Sequence, residues 1–149
     1  MYEIVIINGT DLILKVQEAN GSADEFKLLH SQNVSLSINV DTIDVSTKDS
    51  AGFRDLLGGQ KSFSLSADGL YDFSPTAGTT TDPSDLVTQM LARTAVTFTF
   101  TYGGTLATGD TYYTGSGFVT SFEVSGGVED APTYSVSIEG SGAITQAVE

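Results

Sequence analysis

The chain has 149 residues with 40% hydrophobic content, enough for one domain, residues 1–149, with a substantial core. It has no cysteine, which excludes disulfides and thiolate chemistry. Its formal net charge is -13, from 19 acids against 6 bases, which excludes adhesive binding to nucleic acid phosphates or to anionic membranes. The same charge suits two roles. It keeps a protein soluble, and it lines a conduit that passes DNA without holding it. Composition alone leaves both open.

No apolar run reaches membrane-spanning length. The opening stretch Met1 to Ile7 lacks a basic region and a small-residue cleavage site, so it reads as a strand rather than a signal peptide, and a cytoplasmic protein is expected. Tyr2 to Ile7 and Leu12 to Gln17 are predicted strands around Asn8-Gly9-Thr10-Asp11, where Asn-Gly favours a tight hairpin turn. A turn at Asn20-Gly21 precedes a short strand, Phe26 to Leu29. Val34, Leu36, Ile38 and Val40 then alternate with Asn33, Ser35, Ser37 and Asn39. The apolar phase slips to Ile43 and Val45, which calls for a bulge near Asp41-Thr42.

A polar turn follows, Ser46 to Ser50, then a short amphipathic segment, Ala51 to Leu57, ending at Gly58-Gly59. The chain re-enters a strand with strict period 2. Phe63, Leu65, Ala67, Tyr71 and Phe73 fall on one face, and Ser62, Ser64, Ser66, Asp68 and Asp72 on the other. Ser74 to Pro83 is a loop. A helix starts after it, capped by Asp82 or Ser84, with Leu86 and Met90, flanked by Val87 and Leu91, as its apolar stripe and Arg93 near its end. Val96, Phe98, Phe100 and Tyr102 alternate with threonines. A loop from Gly103 leads to Tyr112–Val124, one long strand or two, with Phe118, Phe122 and Val124 in phase. After a turn at Ser125 to Pro132, Tyr134, Val136 and Ile138 alternate with Ser135, Ser137 and Glu139. Gly140 to Gly142 then break the run before a short tail strand. The expected fold is mainly β, an antiparallel sandwich or barrel with one short flanking helix.

The search for chemistry finds no centre. A nucleophilic triad needs the single histidine, His30, and no nucleophile elbow accompanies it. Zinc lacks ligands. Asp41 with Asp44, Asp68 with Asp72, and Glu129-Asp130 are the closest acids, but a glycosidase cleft needs stacking aromatics and there is no tryptophan. The acidic loops lack EF-hand spacing. Gly58-Gly59, Gly103-Gly104 and Gly126-Gly127 lack the lysine and helix start of a phosphate loop. The sequons at Asn8, Asn20 and Asn33 reflect high Ser and Thr content. The expectation is no catalytic residue, no cofactor and no metal site, and hence a structural or binding role.

Asp44-Val45-Ser46-Thr47-Lys48-Asp49-Ser50-Ala51-Gly52-Phe53-Arg54-Asp55-Leu56-Leu57 and the closing Ser135-Val136-Ser137-Ile138-Glu139-Gly140-Ser141-Gly142 carry a resemblance. Gly9 to Val16 and Gly117 to Gly126 extend it more weakly. The chain resembles the TP901-1-like major tail protein family of long-tailed phages and gene transfer agents. The resemblance implies a non-enzymatic tube subunit forming hexameric rings that stack into a DNA-conducting tube. It also implies a tape measure protein and a tail terminator as partners, a place in the virion tail after assembly in the host bacterial cytoplasm, and no membrane binding.

On that reading, the stretch Asp41 to Gly59 is a long inter-ring loop. Its stacking residues are Lys48, Asp49, Phe53, Arg54, Asp55, Leu56 and Leu57, and it is mobile until assembly. The competing reading folds these residues back on their own core as a helical turn. Asp68, Asp72 and, by the same alternation, Glu123 are candidates for the lumen. A different tube component on a related fold, or a surface sandwich binding carbohydrate or protein, are the alternative functions.

Overall fold

A computed structural model of the chain describes residues 9, 12–17, 25–28, 31–73, 80–102 and 109–148. The expected strand Tyr2 to Ile7, the Asn20-Gly21 turn, His30, most of the Ser74 to Pro83 loop and the loop from Gly103 lie outside them. The elements are β1 (Leu12–Gln17), β2 (Glu25–Leu28), β3 (Ser31–Asp44), β4 (Leu56–Leu70), β5 (Thr80–Thr81), α1 (Pro83–Ala92), β6 (Val96–Tyr102), β7 (Thr111–Ser125) and β8 (Thr133–Val148). They form one sheet in the order β3-β4-β8-β7-β6-β1-β2-β5. Every pairing is antiparallel except that of β2 with the two-residue β5.

The sheet folds over on itself. Phe63 of β4 and Phe98 of β6 are separated by two strands in the sheet order, yet their ring centroids lie 5.8 Å apart. The alternation explains why. Leu14, Val16, Phe63, Leu65, Phe98, Val136 and Ile138 all take the inward face and are buried. Each such side chain contributes about 1.5–3 kcal/mol relative to leaving it in water. Phe63 reaches Phe98 by lying against the backbone of Gly140 in β8. A Cβ at Gly140 would fall inside the van der Waals envelope of the Phe63 ring. Only glycine permits that approach.

Helix α1 begins as expected, with the Asp82 carboxylate accepting from the Ser84 amide at 2.9 Å and Pro83 in the first turn. The central residues of the expected stripe hold, with Leu86 buried and Met90 packed partly buried against the core, and Gln89 joins them. The flanking Leu91 is 76% exposed. Gln89 is admitted because its Nε2 donates to the Gln17 carbonyl at 2.9 Å, closing the end of β1. Arg93 ends the helix in the left-handed region, at φ 56°.

The expected bulge near Asp41-Thr42 is present. Val40 pairs with Lys61 and Thr42 with Gly58, so Gly59 and Gln60 of β4 stand opposite Asp41 alone. Three expectations are corrected. First, β4 ends at Leu70; Tyr71 beyond it still packs against the core, but Phe73 is 73% exposed instead of joining it. Second, Phe118 is out of phase with Phe122. Thr120 is an extra residue of β7 between the pairs Val119 with Ile138 and Ser121 with Ser137. That bulge turns Val119 and Phe122 inward and leaves Phe118 exposed. Third, β8 runs unbroken through Gly140 to Gly142. Gly142, Ala143 and Ile144 stand opposite Gly115 alone, so the glycines mark a register shift within one strand.

Candidate assembly interface

Strand β4 pairs with β8 only from Ser64 to Leu70, while β3 follows it along nearly its whole length. Residues 56–63 and 38–44 therefore leave the sheet as a two-stranded arm, roughly 25 Å long at about 3.4 Å per residue. Of the expected loop Asp41 to Gly59, residues 41–44 and 56–59 are strands of this arm and residues 45–55 form its tip. The expected segment Ala51 to Leu57 is not a helical turn folded on the core. Ala51 and Gly52 have positive φ, and Leu56 and Leu57 open β4.

A free two-stranded ribbon is marginal in water. Here the tip is fastened by its own polar side chains. The Ser46 amide donates to Asp44 Oδ1 at 2.9 Å, and the Asp55 amide to Ser46 Oγ at 2.9 Å. The Thr47 amide donates to Ser50 Oγ at 3.0 Å, and Ser50 Oγ to Asp55 Oδ2 at 2.7 Å. Arg54 Nε meets Asp44 Oδ2 at 3.1 Å. Hydrogen bonds from the Ser46 side chain and amide, with the Arg54 guanidinium adding to them, hold the Asp44 carboxyl below its ordinary range.

This network divides the stacking candidates. Arg54 and Asp55 hold the tip together, whereas Lys48, Asp49 and Phe53 stand outside it, with Phe53 79% exposed. Leu56 and Leu57 are 49% and 57% exposed. Sequence reasoning missed that Ile38, Val40, Ile43 and Val45 are also exposed, at 44–51%. Their alternation reads as core, and only the end of the β4–β8 pairing shows that no sheet covers them. Ile43 and Leu57 are register partners and share one side of the ribbon, and Val40 falls on the other. The arm is apolar on both sides, which is far more than a lone subunit has reason to expose.

The outward face of β3, β4, β8 and β7 is polar and ordered in rows. Asn33, Asp68, Ser135 and Glu123 are successive register partners across the four strands. Asn33 Nδ2 donates to Asp68 Oδ2 at 3.1 Å. The next row is Ser35, Ser66, Ser137 and Ser121, with the first two hydroxyls 2.5 Å apart. The third is Ser37, Ser64, Glu139 and Phe118.

The structure thus brings the candidates Asp68 and Glu123 together and adds Glu139, which the alternation with Ile138 could have supplied. No lysine or arginine stands in these rows. Asp72 lies beyond the end of β4, half-buried, and is not part of them. Behind Asp68, burial first and the Asp68 charge second push the Tyr134 hydroxyl far up, so it stays protonated. Among the described residues, no three His, Cys, Asp or Glu side chains cluster as metal ligands, and no helix is long and apolar enough to cross a membrane.

A row-ordered polar wall joined to an uncovered apolar arm is the layout of an assembly subunit. Residues 6–146 match the family of phage tail tube proteins. The chain belongs to that family. It is a structural subunit of a tail tube. No curated protein matches it in sequence. Among solved structures, this tail tube protein is similar to a chain of the virion of a native gene transfer agent particle, with TM-score 0.76 and 20% identity over 96% of this chain and 100% of that one. A chain from the C6-symmetric tail of an empty gene transfer agent particle gives TM-score 0.76 and 22% identity over 96% and 100%. A chain of the SPP1 tail tube gives 0.73 and 15% over 97% and 80%. At such identities the likeness is one of fold, over 96–97% of this chain.

Proposed function

We propose that copies of this tail tube protein close into rings of six, that the rings stack through the β3–β4 arm, and that the row-ordered polar face lines a lumen through which DNA passes. The observation that carries this is the arm, whose apolar side chains are exposed on both sides and have no cover within the subunit. A second copy of the same chain supplies that cover. Six-fold symmetry is stated for one of the tails whose fold it shares. The edges of the sheet call for side-to-side pairing, and ring closure provides it.

The wall suits DNA transit. Asp68, Glu123 and Glu139 repel phosphate, serines between them give the wall hydration, and no base in the rows holds the duplex. Counter-ions neutralise the bore, so DNA stays inside without adhering. The role is structural, not catalytic. A tape measure protein inside the growing tube, a tail terminator at its end, and assembly in the host bacterial cytoplasm complete the reading.

Electron microscopy of the purified protein tests it. Rings or tubes are expected. Phe53→Asp or Leu57→Asp keeps the subunit folded by circular dichroism and removes stacking, because either buries a charge in the ring-to-ring contact. A protein that remains monomeric at all concentrations, even with tail assembly factors supplied, refutes the proposal.

A further inference from the structure

Strand β8 changes neighbours part-way along. From Thr133 to Glu139 it lies between β4 and β7, and from Gly140 to Val148 it pairs with β7 alone. The other edge of that second half is unpaired among the described residues. Natural proteins blunt such an edge with charge or proline, and Gly140 to Val148 contains neither. Most of its side chains are exposed, Val148 at 60%. Beyond the register shift that includes Gly142, Thr145 to Val148 run in regular pairing with β7. The sequence also supplies a strand that β1 cannot seat. Tyr2 to Ile7 contains Glu3 and otherwise only large apolar residues. The expected hairpin lays this stretch on β1, yet β6 takes Leu12 to Val16 of that strand and β2 takes Lys15 to Gln17. Among the described residues, only Leu12 to Leu14 stay open on the β2 side, too short a run for it.

We propose that Tyr2 to Ile7 of one copy adds as a strand to the open edge of β8 in its ring neighbour. The exchange rests on the tube reading and names a segment and an edge that lock ring-mates together. Backbone hydrogen bonds to the edge hold the added strand, and its apolar side chains extend the sandwich. Reach decides that the strand comes from another copy. Gly9 borders one cavity with Ser31 to Val34, at the start of β3. Asn33 shares a register row with Ser135. From there the open edge at Gly140 is roughly 17 Å further along β8 and about 10 Å across two strand spacings. Crossing that distance takes about six residues at 3.3 Å each, which consumes the segment before it can pair. A ring mate has no such gap to cross. β6 leaves β7 after Gly117, so β3 and the second half of β7 are the two ends of the four-stranded wall. Side-to-side closure brings the β3 end of one copy, with its Gly9, to the β7–β8 end of the next. Such a head-to-tail exchange is satisfied in every copy once the ring closes.

The chain has no cysteine, so introduced pairs report alone. Ile4→Cys or Val5→Cys is combined with Thr145→Cys or Gln146→Cys, which covers both faces of the two strands. Each double variant is assembled, mildly oxidised and run on a denaturing, non-reducing gel. A disulfide needs Cα atoms within about 7 Å, which adjacent strands satisfy. The expected result is that at least one double variant gives a ladder of covalent multimers ending at six copies, because the exchange stays within a ring. A ladder that runs past six overturns the proposal, and so does a disulfide closed within single chains. Tubes in which no double variant crosslinks overturn it as well.

Deletion of Met1 to Ile7 gives a second readout. The shortened subunit keeps its circular dichroism and its urea midpoint, and its yield of rings and tubes falls at least tenfold. Assembly at the parental yield overturns the exchange. So does a subunit that unfolds on deletion, since the segment then packs within its own chain. The unsubstituted protein separates the two levels of inference. If it forms neither rings nor tubes, the tube reading falls and takes this exchange with it. If it forms tubes while the variants behave otherwise than stated, only the exchange falls.

Discussion

Gly140→Ala is the sharpest test of how the arm is rooted. The added methyl enters the buried Phe63 ring, whose relative exposure is 5%, and Phe63 is held on its other side by Phe98. The ring has no open space to retreat into, so the cost is that of overpacking, about 1–3 kcal/mol. For a domain of this size that lowers Tm by roughly 2–12 °C. Phe63→Leu alone leaves a small void and costs about 1–2 kcal/mol. In the double variant the methyl occupies part of that void. The combined loss then falls short of the sum by about 1 kcal/mol or more, since the residues are in contact.

Urea unfolding of the four proteins, under conditions that keep the subunit monomeric, gives the cycle. Additivity within about 0.5 kcal/mol refutes the contact. The site also matters for assembly. The β4–β8 pairing begins at Ser64 with Glu139, one residue from both Phe63 and Gly140, so a displaced ring shifts the base of the arm. Gly140→Ala should therefore lower tube yield more than an equally destabilising change in α1.

Three further outcomes are expected. Asp68→Lys with Glu123→Lys places two bases in one row of the wall, and assembled tubes should then retain duplex DNA in a salt-sensitive way that the parent does not. Equal retention by both removes these residues from the lumen. The backbone amides of Val45, Ser50 and Phe53 should gain hydrogen-exchange protection on assembly, and equal protection in subunit and tube marks the tip as an ordinary packed turn. The Asp44 carboxyl, held below its ordinary value of 3.8, supports the tip fully above that value. It loses this support only as pH falls through the lower folded midpoint. An NMR titration of Asp44 and the Ser46 amide should give a midpoint below 3.8, and a midpoint above it contradicts the hydrogen bonds.

The sequence made most strands legible because period 2 is strict where one face is buried. Leu14 and Val16 in β1, Phe63 to Ala67 in β4, and Tyr134 to Ile138 in β8 all follow it. Errors gathered where the alternation continued without a neighbour. Ile38 and Val40 look like core residues because hydrophobicity does not record whether a second sheet stands opposite. Phe118 and Phe122 share a parity that Thr120 breaks, and a bulge leaves no mark in composition. Gln89 is polar by type but buried by its bond to Gln17, a partner 72 positions away. Val128 lies within the Ser125 to Pro132 turn, where a single apolar residue carries no periodicity. The acids of the wall were partly visible for the reason that serines alternate with core residues. Only the register showed that Asp68 and Glu123 flank the same serine.

The bulge at Gly59 and Gln60 has a mechanical consequence. It sits on the two-stranded part of β4, outside the β4–β8 pairing, with Gly59 so close to the Asp41 carbonyl that an added Cβ would lie 3.1 Å from it. From Ser64 the strand is bound into the sheet, and above the bulge the ribbon has no core to distort. If rings stack through the arm as proposed, flexing the tail concentrates curvature at the joints between rings, while each ring keeps a round bore. A long tube can then curve without pinching the duplex that travels through it.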